Sequence, residues 1–426
     1  MTGRRRPLFP RPLGLLTGAV AAGALLLTGC GVLPGASGGS REPVTVMTWA
    51  PGDASGPDAD TMAGMTAMAQ TFARWINGAG GIDGHTLRVV TCDEQDTSVG
   101  AGNCARRAVK EKAVAVVGSY SRHGRAFMAP LEVAGIPYIG GYGASEEEFR
   151  SYMSYPVTGG QSALMAGNAK QLARTCDRVS LVRPDTLGGD GLAWLLHTGL
   201  SEAREHAPVD VRAAEDANSY DEPASRALNG AGARGGCVTA VLGERTETFF
   251  DAFRRLEPSD GSVRVSSVLG SIGQPLIDRT GGRNSPFEGA YVTGWYPAPG
   301  DARWDTMRKV IGEHAFGDNS IDPEDTGVQT TWIAYTVLKS LVESLHTSEI
   351  TAGKVTKALN EGTPVDTGGL TPELRWRYED MIGSDSYPRI VNSKVTFQVV
   401  RDGRLVAEKK GFVDVAETLS DASATG

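Results

Sequence analysis

The fold-determining stretch is WINGAGGIDGHTLRVVTC at residues 75–92, followed by AVAVVGSYS at 113–121. Its glycines permit the positive φ angles of a sharp chain reversal, and 87–90 is rich in the apolar and β-branched residues of a strand. Residues 114–117 are apolar at consecutive positions, as in a parallel strand covered on both faces. The stretch therefore predicts a helix, a turn, a strand, a short helix and a strand, the start of a doubly wound α/β lobe. The first of these helices has an apolar stripe at Met65, Met68, Phe72 and Ile76.

Strands and helices continue to alternate after this stretch. The 426 residues also exceed one typical core, so we expect two α/β lobes. A helix over about 326–346 carries its aromatic residues on one apolar face, which favours core packing for them. Strands are predicted at 45–48, 87–91, 114–118, 137–139, 179–183, 209–211, 238–242, 263–269 and 290–293.

An ordered set of motifs carries a family resemblance. INGAGGIDGHTLRVV, CDEQD, AVAVVGSYS and GIPYIGGYGAS follow one another in the run that begins at Trp75, and VSLVRPDTLGGDG, FEGAYVTGWY and VTFQVVRDG extend the match more loosely. The chain resembles the type I periplasmic binding proteins, and within them the branched-chain amino-acid receptors of ABC importers. The resemblance implies two doubly wound parallel-sheet lobes with a ligand cleft between them. It also implies three crossovers, near Pro156, Pro297 and Arg377.

The resemblance and the composition together predict a domain plan. The first lobe takes in two segments of the chain, and so does the second, because the chain crosses between them. The predicted parts are a signal peptide at 1–29, a flexible tether at 30–43, lobe I at 44–156 and 298–377, lobe II at 157–297 and 378–412, and a C-terminal tail at 413–426.

The N-terminus looks like a lipoprotein signal. Four arginines precede an apolar run at 13–27, and Leu27-Thr28-Gly29-Cys30 follows it. Cleavage before Cys30 would leave a thiol for the lipid, and the tether, rich in glycine, serine and proline, would hold the folded part off the membrane. The predicted location is the outer face of the cytoplasmic membrane. An ordinary secretory signal or an uncleaved anchor is the alternative.

Four further cysteines are expected to pair in an extracytoplasmic protein. Cys92 ends a predicted strand and Cys104 starts the next helix, so this short loop closes easily. Cys176 and Cys237 precede the first and third strands of the second lobe, which are neighbours in a 2-1-3 strand order. We predict the pairs Cys92–Cys104 and Cys176–Cys237. The alternative is four free thiols, and no C-x-x-C or Cys/His cluster points to a metal site.

Ligands of open α/β sheets bind beyond the carboxyl ends of strands one and three. In the first lobe this rule selects Trp49, Ser119, Tyr120 and Ser121. In the second lobe it selects 183–187 together with Gly243, Glu244 and Arg245.

The family resemblance independently implies the loop that contains Ser121 and the loop formed by Tyr142, Gly143, Ala144 and Ser145. In the receptors that the chain resembles, hydroxyls and backbone amides of these loops hold the ligand carboxylate. The serines can instead be turn residues or helix caps. Trp49 and Tyr142 can stack on a ligand or pack under a loop.

The second lobe departs from the family pattern. Leu187 replaces an aromatic residue that usually precedes the Gly-x-Gly of its first turn. The acidic residue expected to bind an α-amino group is absent near Ser271. Glu244 can substitute for it, or can belong to a solvated helix start. Both departures weaken an amino-acid assignment.

The preferred function is a lipid-anchored receptor that closes on a small polar solute and presents it to a membrane permease, without chemistry, cofactor or metal, as a monomer. Removal of residues 1–29 would change the net charge from −8 to −12, which disfavours nucleic acid. The alternative is a surface lipoprotein of the same fold that binds a protein or senses a ligand. A hydrolase is less favoured, because only His123 lies near a cleft serine and the G-x-S-x-G match at 35–39 lacks a strand–turn–helix context.

Overall fold

The structure is a computed structural model that describes residues 41–52, 62–201, 207–214, 217–232, 235–243, 245–256 and 263–424. Its first sheet is parallel throughout, with strand order β2-β1-β3-β4-β5. The first part of the chain forms β1 (Arg41–Ala50), α1 (Ala63–Gly78), β2 (His85–Asp93), α2 (Ser98–Lys110), β3 (Ala115–Val117), α3 (Gly124–Ala134), β4 (Tyr138–Ile139) and β5 (Ser154–Tyr155).

The second sheet contains eight strands, in the order β12-β11-β10-β9-β8-β6-β7 with β13 paired to β11. Its parallel part, from β6 to β10, repeats the order of the first sheet, and antiparallel strands extend it. The remaining elements are α4 (Gly160–Leu172), β6 (Arg178–Pro184), α5 (Leu187–Ser201), β7 (Val209–Ala213), α6 (Asp221–Ala231), β8 (Gly236–Ala240), α7 (Arg245–Leu256), β9 (Arg264–Val268), α8 (Gln274–Arg279), β10 (Tyr291–Gly294), α9 (Asp305–His314), α10 (Thr326–Leu345), α11 (Ala352–Asn360), β11 (Lys394–Arg401), β12 (Arg404–Ala407), β13 (Val413–Asp414) and α12 (Ala416–Ala424).

The predicted fold class is confirmed. Each sheet starts as a 2-1-3 parallel order, which is the doubly wound arrangement. Helices α9 and α10 return to the first sheet's side of the molecule, where both contact α1, and α10 also contacts β3 and β4. We call the first sheet with α1–α3 and α9–α11 the first lobe, and the second sheet with its helices the second lobe.

Some elements at the predicted boundaries differ from the sequence-based expectation. The first strand starts at Arg41, which pairs with His85, so the last residues of the predicted tether belong to the sheet. The predicted C-terminal tail is ordered as β13 and α12, and α12 packs on α4 and α5. Strands β5 and β11–β13 were not predicted. The signal segment, Cys30 and the rest of the tether lie outside the described residues.

Both predicted disulfides are confirmed. Cys92 pairs with Cys104 and Cys176 pairs with Cys237, with Cα–Cα distances of 5.7 Å in each case. The second pair forms for the predicted reason, because β6 and β8 are neighbours and Val179 lies opposite Cys237.

Buried tryptophans hydrogen-bond to backbone carbonyls in the segments that join the lobes. The indole N–H of Trp376 donates to the carbonyl of Pro156 at 3.0 Å, and that of Trp304 donates to Pro297 at 3.1 Å. Trp295 donates to Gly160 at 2.9 Å. A buried indole N–H needs an acceptor, so each bond fixes a ring and a chain crossing together.

Helix α10 supplies much of the first lobe's core. Its Asp325 cap accepts from the amide of Val328, and the face predicted to be apolar is buried against α1 and the sheet.

Within the described residues, no helix combines the length and apolar character that a membrane span requires.

Candidate ligand cleft

Tyr142 lies where the two lobes meet. It follows β4 in the first lobe, and its half-buried ring contacts Trp295 edge-on at a centroid distance of 5.4 Å. Gly270 follows β9 in the second lobe with φ +95°, and a β-carbon there would lie only 3.2 Å from the Tyr142 hydroxyl oxygen. A first-lobe loop thus touches the carboxyl edge of the second sheet, the position at which open α/β sheets bind ligands.

An apolar platform surrounds this contact on the first lobe. Tyr120 is buried, and its ring centroid lies 5.3 Å from that of Tyr142. Met65 is buried beside Tyr120, while Met62 and Ala144 are partly buried against the same cluster. We call Met62, Met65, Tyr120, Tyr142 and Ala144 the ring platform.

Trp49 and Ser119 lie beneath this surface. Trp49 is fully buried, and its ring packs against Phe127 and Tyr138 at 5.4 and 5.8 Å. The hydroxyl of Ser119 accepts from the Trp49 amide at 3.1 Å and donates to Val117 at 3.5 Å. These contacts join β1 to the loop after β3. The Trp49 ring packs inside the first lobe, and the Ser119 hydroxyl hydrogen-bonds to backbone atoms.

Ser121 is also fully buried and bonded within the protein. Its hydroxyl donates to Glu94 at 2.9 Å and accepts from the amide of His123 at 3.1 Å. The imidazole of His123 lies 3.7 Å from a carboxylate oxygen of Asp96. The Ser121 hydroxyl thus meets a carboxylate and a backbone amide, which gives it no imidazole base for nucleophilic attack.

The loop from Gly143 to Ser145 closes around a buried carboxylate. Glu148, 1% exposed, accepts from the amides of Gly143 and Ser145 at 3.0 Å each, and from the Ser145 hydroxyl at 3.1 Å. The amide of Ala144 also bonds to it. Ser145 and Glu148 form a capping box at the start of a short 3₁₀ helix, so the helix-cap alternative describes Ser145.

Burial perturbs both carboxylates under the first-lobe loops. It raises the pKa of Glu148 from its ordinary value of 4.5 to about 7, against the lowering effect of the loop amides. Burial likewise raises the pKa of Glu94 to about 7, and the Ser121 hydrogen bond opposes that rise. Tyr138 lies between these groups, and its pKa is raised well above the usual value by burial and by the two carboxylates.

The predicted second-lobe residues differ from one another in exposure. Gly243 is exposed with φ +57°, Arg245 starts α7 and is half-buried, and Ser271 is 8% exposed beside Gly270. Leu187 starts α5, and nothing of its side chain is described. Glu244 lies outside the described residues.

Arg183, at the start of the selected segment 183–187, is an internal ion-pair residue. Its guanidinium is almost fully buried and meets Asp210 at 2.7 and 2.8 Å and Asp190 at 2.7 Å.

The described residues contain no group of three or more His, Cys, Asp or Glu side chains placed to hold a metal ion.

The family model of periplasmic binding proteins matches residues 50–386. The chain belongs to the periplasmic binding protein family. A substrate-binding periplasmic protein from Ralstonia solanacearum superposes with a TM-score of 0.68 at 18% identity, covering 86% of this chain and 100% of that one. A leucine-binding protein from Thermotoga maritima gives 0.65 at 16% identity, covering 87% and 99%. No curated protein sequence matches the chain.

A third similar structure is a solute-binding protein of an ABC transporter from Rhodopseudomonas palustris, solved with p-hydroxybenzoic acid. It has a TM-score of 0.69 at 17% identity and covers 88% of this chain and 97% of its own. At these identities the solved structures establish the fold of this periplasmic binding protein.

Sequence reasoning missed the residues that organise the binding protein's first-lobe loops. The sequence does contain a pattern that predicts a capping role for Glu148, because Ser145-Glu146-Glu147-Glu148 matches the S-x-x-E capping box. Glu94 stands in the quoted motif CDEQD, but nothing in the motif links it to Ser121. Trp295, which stands in the quoted motif FEGAYVTGWY, packs against the ring of Tyr142.

Proposed function

We propose that this protein is an extracytoplasmic receptor of an ABC importer that closes its two lobes on a small polar solute. The observation that carries the proposal is the contact of Tyr142 with Trp295 and its approach to Gly270. A side chain from one lobe reaches the carboxyl edge of the other, so a ligand at this place would touch both lobes. Such a ligand favours the closed arrangement over the open one by its differential contacts.

The candidate ligand-contact residues stay proposals. Among the predicted side chains, Tyr142 has the position best suited to contact a solute, and Arg245 and Ser271 are its second-lobe counterparts. The buried hydroxyls of Ser119 and Ser121 shape the loops. No chemical step is part of the proposed function.

We propose that the lipid on Cys30 anchors the receptor to the outer face of the membrane, where a permease recognises the closed form. The support is the sequence Leu27-Thr28-Gly29-Cys30 at the end of an apolar run, together with the family, whose members are periplasmic. Wild-type protein is expected in the membrane fraction and Cys30→Ser protein in the soluble one. Equal partition of both would contradict the anchor.

A thermal-shift screen tests the receptor function. The purified protein is scanned against amino acids, amides, short peptides, polyamines, sugars and aromatic solutes. A true ligand stabilises by about 2.7 kcal/mol at a hundredfold excess over its Kd, which raises Tm.

The matched variants are Tyr142→Ala, in the cleft, and Tyr378→Ala, an 86% exposed tyrosine elsewhere. We expect the ligand-induced shift to disappear in the first variant and persist in the second. Loss in both would assign the effect to general destabilisation. No shift with any solute would overturn the receptor proposal and favour the partner-binding lipoprotein.

A further inference from the structure

The loop from Gly143 to Ser145 is an anion-binding nest that the protein fills itself. Successive backbone amides turned to one side make a concave site for an anion. Here those amides and the Ser145 hydroxyl converge on the carboxylate of Glu148, at 3.0 to 3.1 Å. The occupant belongs to the same capping box and is buried, so the loop is complete without a ligand.

The neighbouring loop uses its polar groups in the same inward manner. The Ser121 hydroxyl donates to the buried Glu94, and the Ser119 hydroxyl bonds to backbone on both sides. The amide of Tyr120 donates to Trp49, and the amide of Tyr142 donates to Ser119. The hydroxyls of Ser119, Ser121 and Ser145 and the amides of Tyr120, Tyr142, Gly143 and Ser145 are therefore bonded within the protein.

An acidic solute would meet two obstacles at this edge. It would find those donors already bonded, and it would approach two buried carboxylates, Glu94 and Glu148. The ionised forms of these two side chains, whose pKa values are about 7, repel an anion more strongly in this low-dielectric region than in water. The first lobe therefore disfavours a carboxylate at the place where the nest would otherwise hold one.

At this edge Tyr142, Met62 and Ala144 of the ring platform stay partly exposed, packed with the buried Tyr120 and Met65. Tyr142 is half-buried, with Tyr120 tilted at 58° and Trp295 edge-on at 88°. Met62 and Ala144 are partly buried beside them. Aromatic faces and edges of this kind bind ring systems through stacked or T-shaped contacts, and they also attract cations.

We infer that the solute is an aromatic compound without a carboxylate, either uncharged or cationic, whose ring lies against Tyr142. This inference rests on the proposed receptor function and names the ligand class for the same cleft. Arg245, half-buried at the start of α7, is a second-lobe cation with which an acid would pair if it bound at this edge.

Matched solute pairs test the inference with the full protein. Each pair keeps the ring and changes only the acidic group: benzoate and benzamide, 4-hydroxybenzoate and 4-hydroxybenzyl alcohol, phenylalanine and 2-phenylethylamine. We expect calorimetric titration to detect at least one carboxylate-free member, at least tenfold tighter than its acid. Tyr142→Ala should abolish that binding, and Tyr378→Ala should preserve it.

The other results contradict the inference in distinguishable ways. Tighter binding of an acid, lost in Arg245→Gln, would overturn it and assign a carboxylate site to the second lobe. Binding of a sugar or peptide alone would overturn it while leaving the receptor function intact. No binding in the whole screen would overturn both.

A second variant tests the nest directly. Glu148→Ala removes the internal anion and leaves its donors around a small cavity. Acetate or formate should raise the Tm of Glu148→Ala and leave that of wild type and of the exposed-site control Glu146→Ala unchanged. No rescue of a folded Glu148→Ala protein would contradict the self-filled nest.

Discussion

The carboxyl edges of the two sheets have the same strand order and use their polar groups differently. In the first lobe, Glu94 and Glu148 accept hydrogen bonds from hydroxyls and amides of the loops that follow β3 and β4. In the second lobe, the guanidinium of Arg183 is buried and pairs with Asp190 and Asp210, whereas Arg245 is half-buried. A shared topology therefore positions a cleft without deciding which lobe supplies its polar contacts.

Removal of the disulfides, one in each lobe, gives the largest expected losses of stability. The second-lobe pair Cys176–Cys237 spans a sequence separation of 61, and the first-lobe pair Cys92–Cys104 spans 12. In the chain-entropy description, replacing Cys176 and Cys237 by serines costs about 4 kcal/mol of unfolding free energy. Replacing Cys92 and Cys104 costs about 3 kcal/mol. Urea unfolding of the two double variants measures both. A larger loss for Cys92/Cys104 would show that local packing, not loop length, dominates.

Glu148→Ala tests the inward bonding of the first-lobe loops. It leaves the amides of Gly143 and Ser145 and the Ser145 hydroxyl without their acceptor, so we expect a loss of about 3 kcal/mol. Glu146→Ala, at an exposed carboxylate in the same turn, should change stability by less than about 0.5 kcal/mol. Similar values for the two variants would remove the distinction between the lobes.

Gly270→Ala tests the contact between the lobes from the second side. The new methyl group would crowd the Tyr142 hydroxyl, so solute affinity should fall by about one order of magnitude, or about 1.4 kcal/mol. Gly289→Ala is the matched control, because it has φ +81° and no neighbour within 4 Å of the added carbon. Both variants bear the strain of a β-carbon at positive φ. The difference between their Kd values therefore reports the contact of the added methyl group with the Tyr142 hydroxyl. Equal Kd values would argue against a ligand position beside Gly270.

The pH dependence of stability is expected to come from the first lobe. Glu94 and Glu148 have folded pKa values of about 7, above their ordinary value of 4.5, so the folded protein binds more protons between these values. Their contribution is fully present below pH 4.5 and is lost as the pH rises through 7. Tm should thus fall by a few degrees more in wild type than in Glu148→Gln across this window. Parallel curves would assign the dependence to other groups.

The sequence predicted the parts of the fold that depend on local pattern and on general topology. Apolar runs located the parallel strands, and the 2-1-3 strand order predicted that Cys176 and Cys237 lie together. The family resemblance also selected the loop of Tyr142, whose ring contacts Trp295 in the structure. The sequence pattern missed the two-residue strand β5, which is too short for a period-two pattern to register.

The partners of individual polar groups depended on tertiary structure. Ser121 and Glu94 are far apart in the chain, and only the packing of β1, β2 and β3 brings the hydroxyl within 2.9 Å of the carboxylate. The same serine in an exposed loop would be free for a ligand.

The sequence by itself therefore determined two parallel α/β lobes, their disulfides and the edge where they meet, because hydrophobic periodicity and strand order are properties of the chain. Only the tertiary structure decided that the first-lobe donors turn inward and that Tyr142 reaches the second lobe. Hydrogen bonds are short-ranged and directional, so their partners are set by side-chain positions that a linear pattern does not contain.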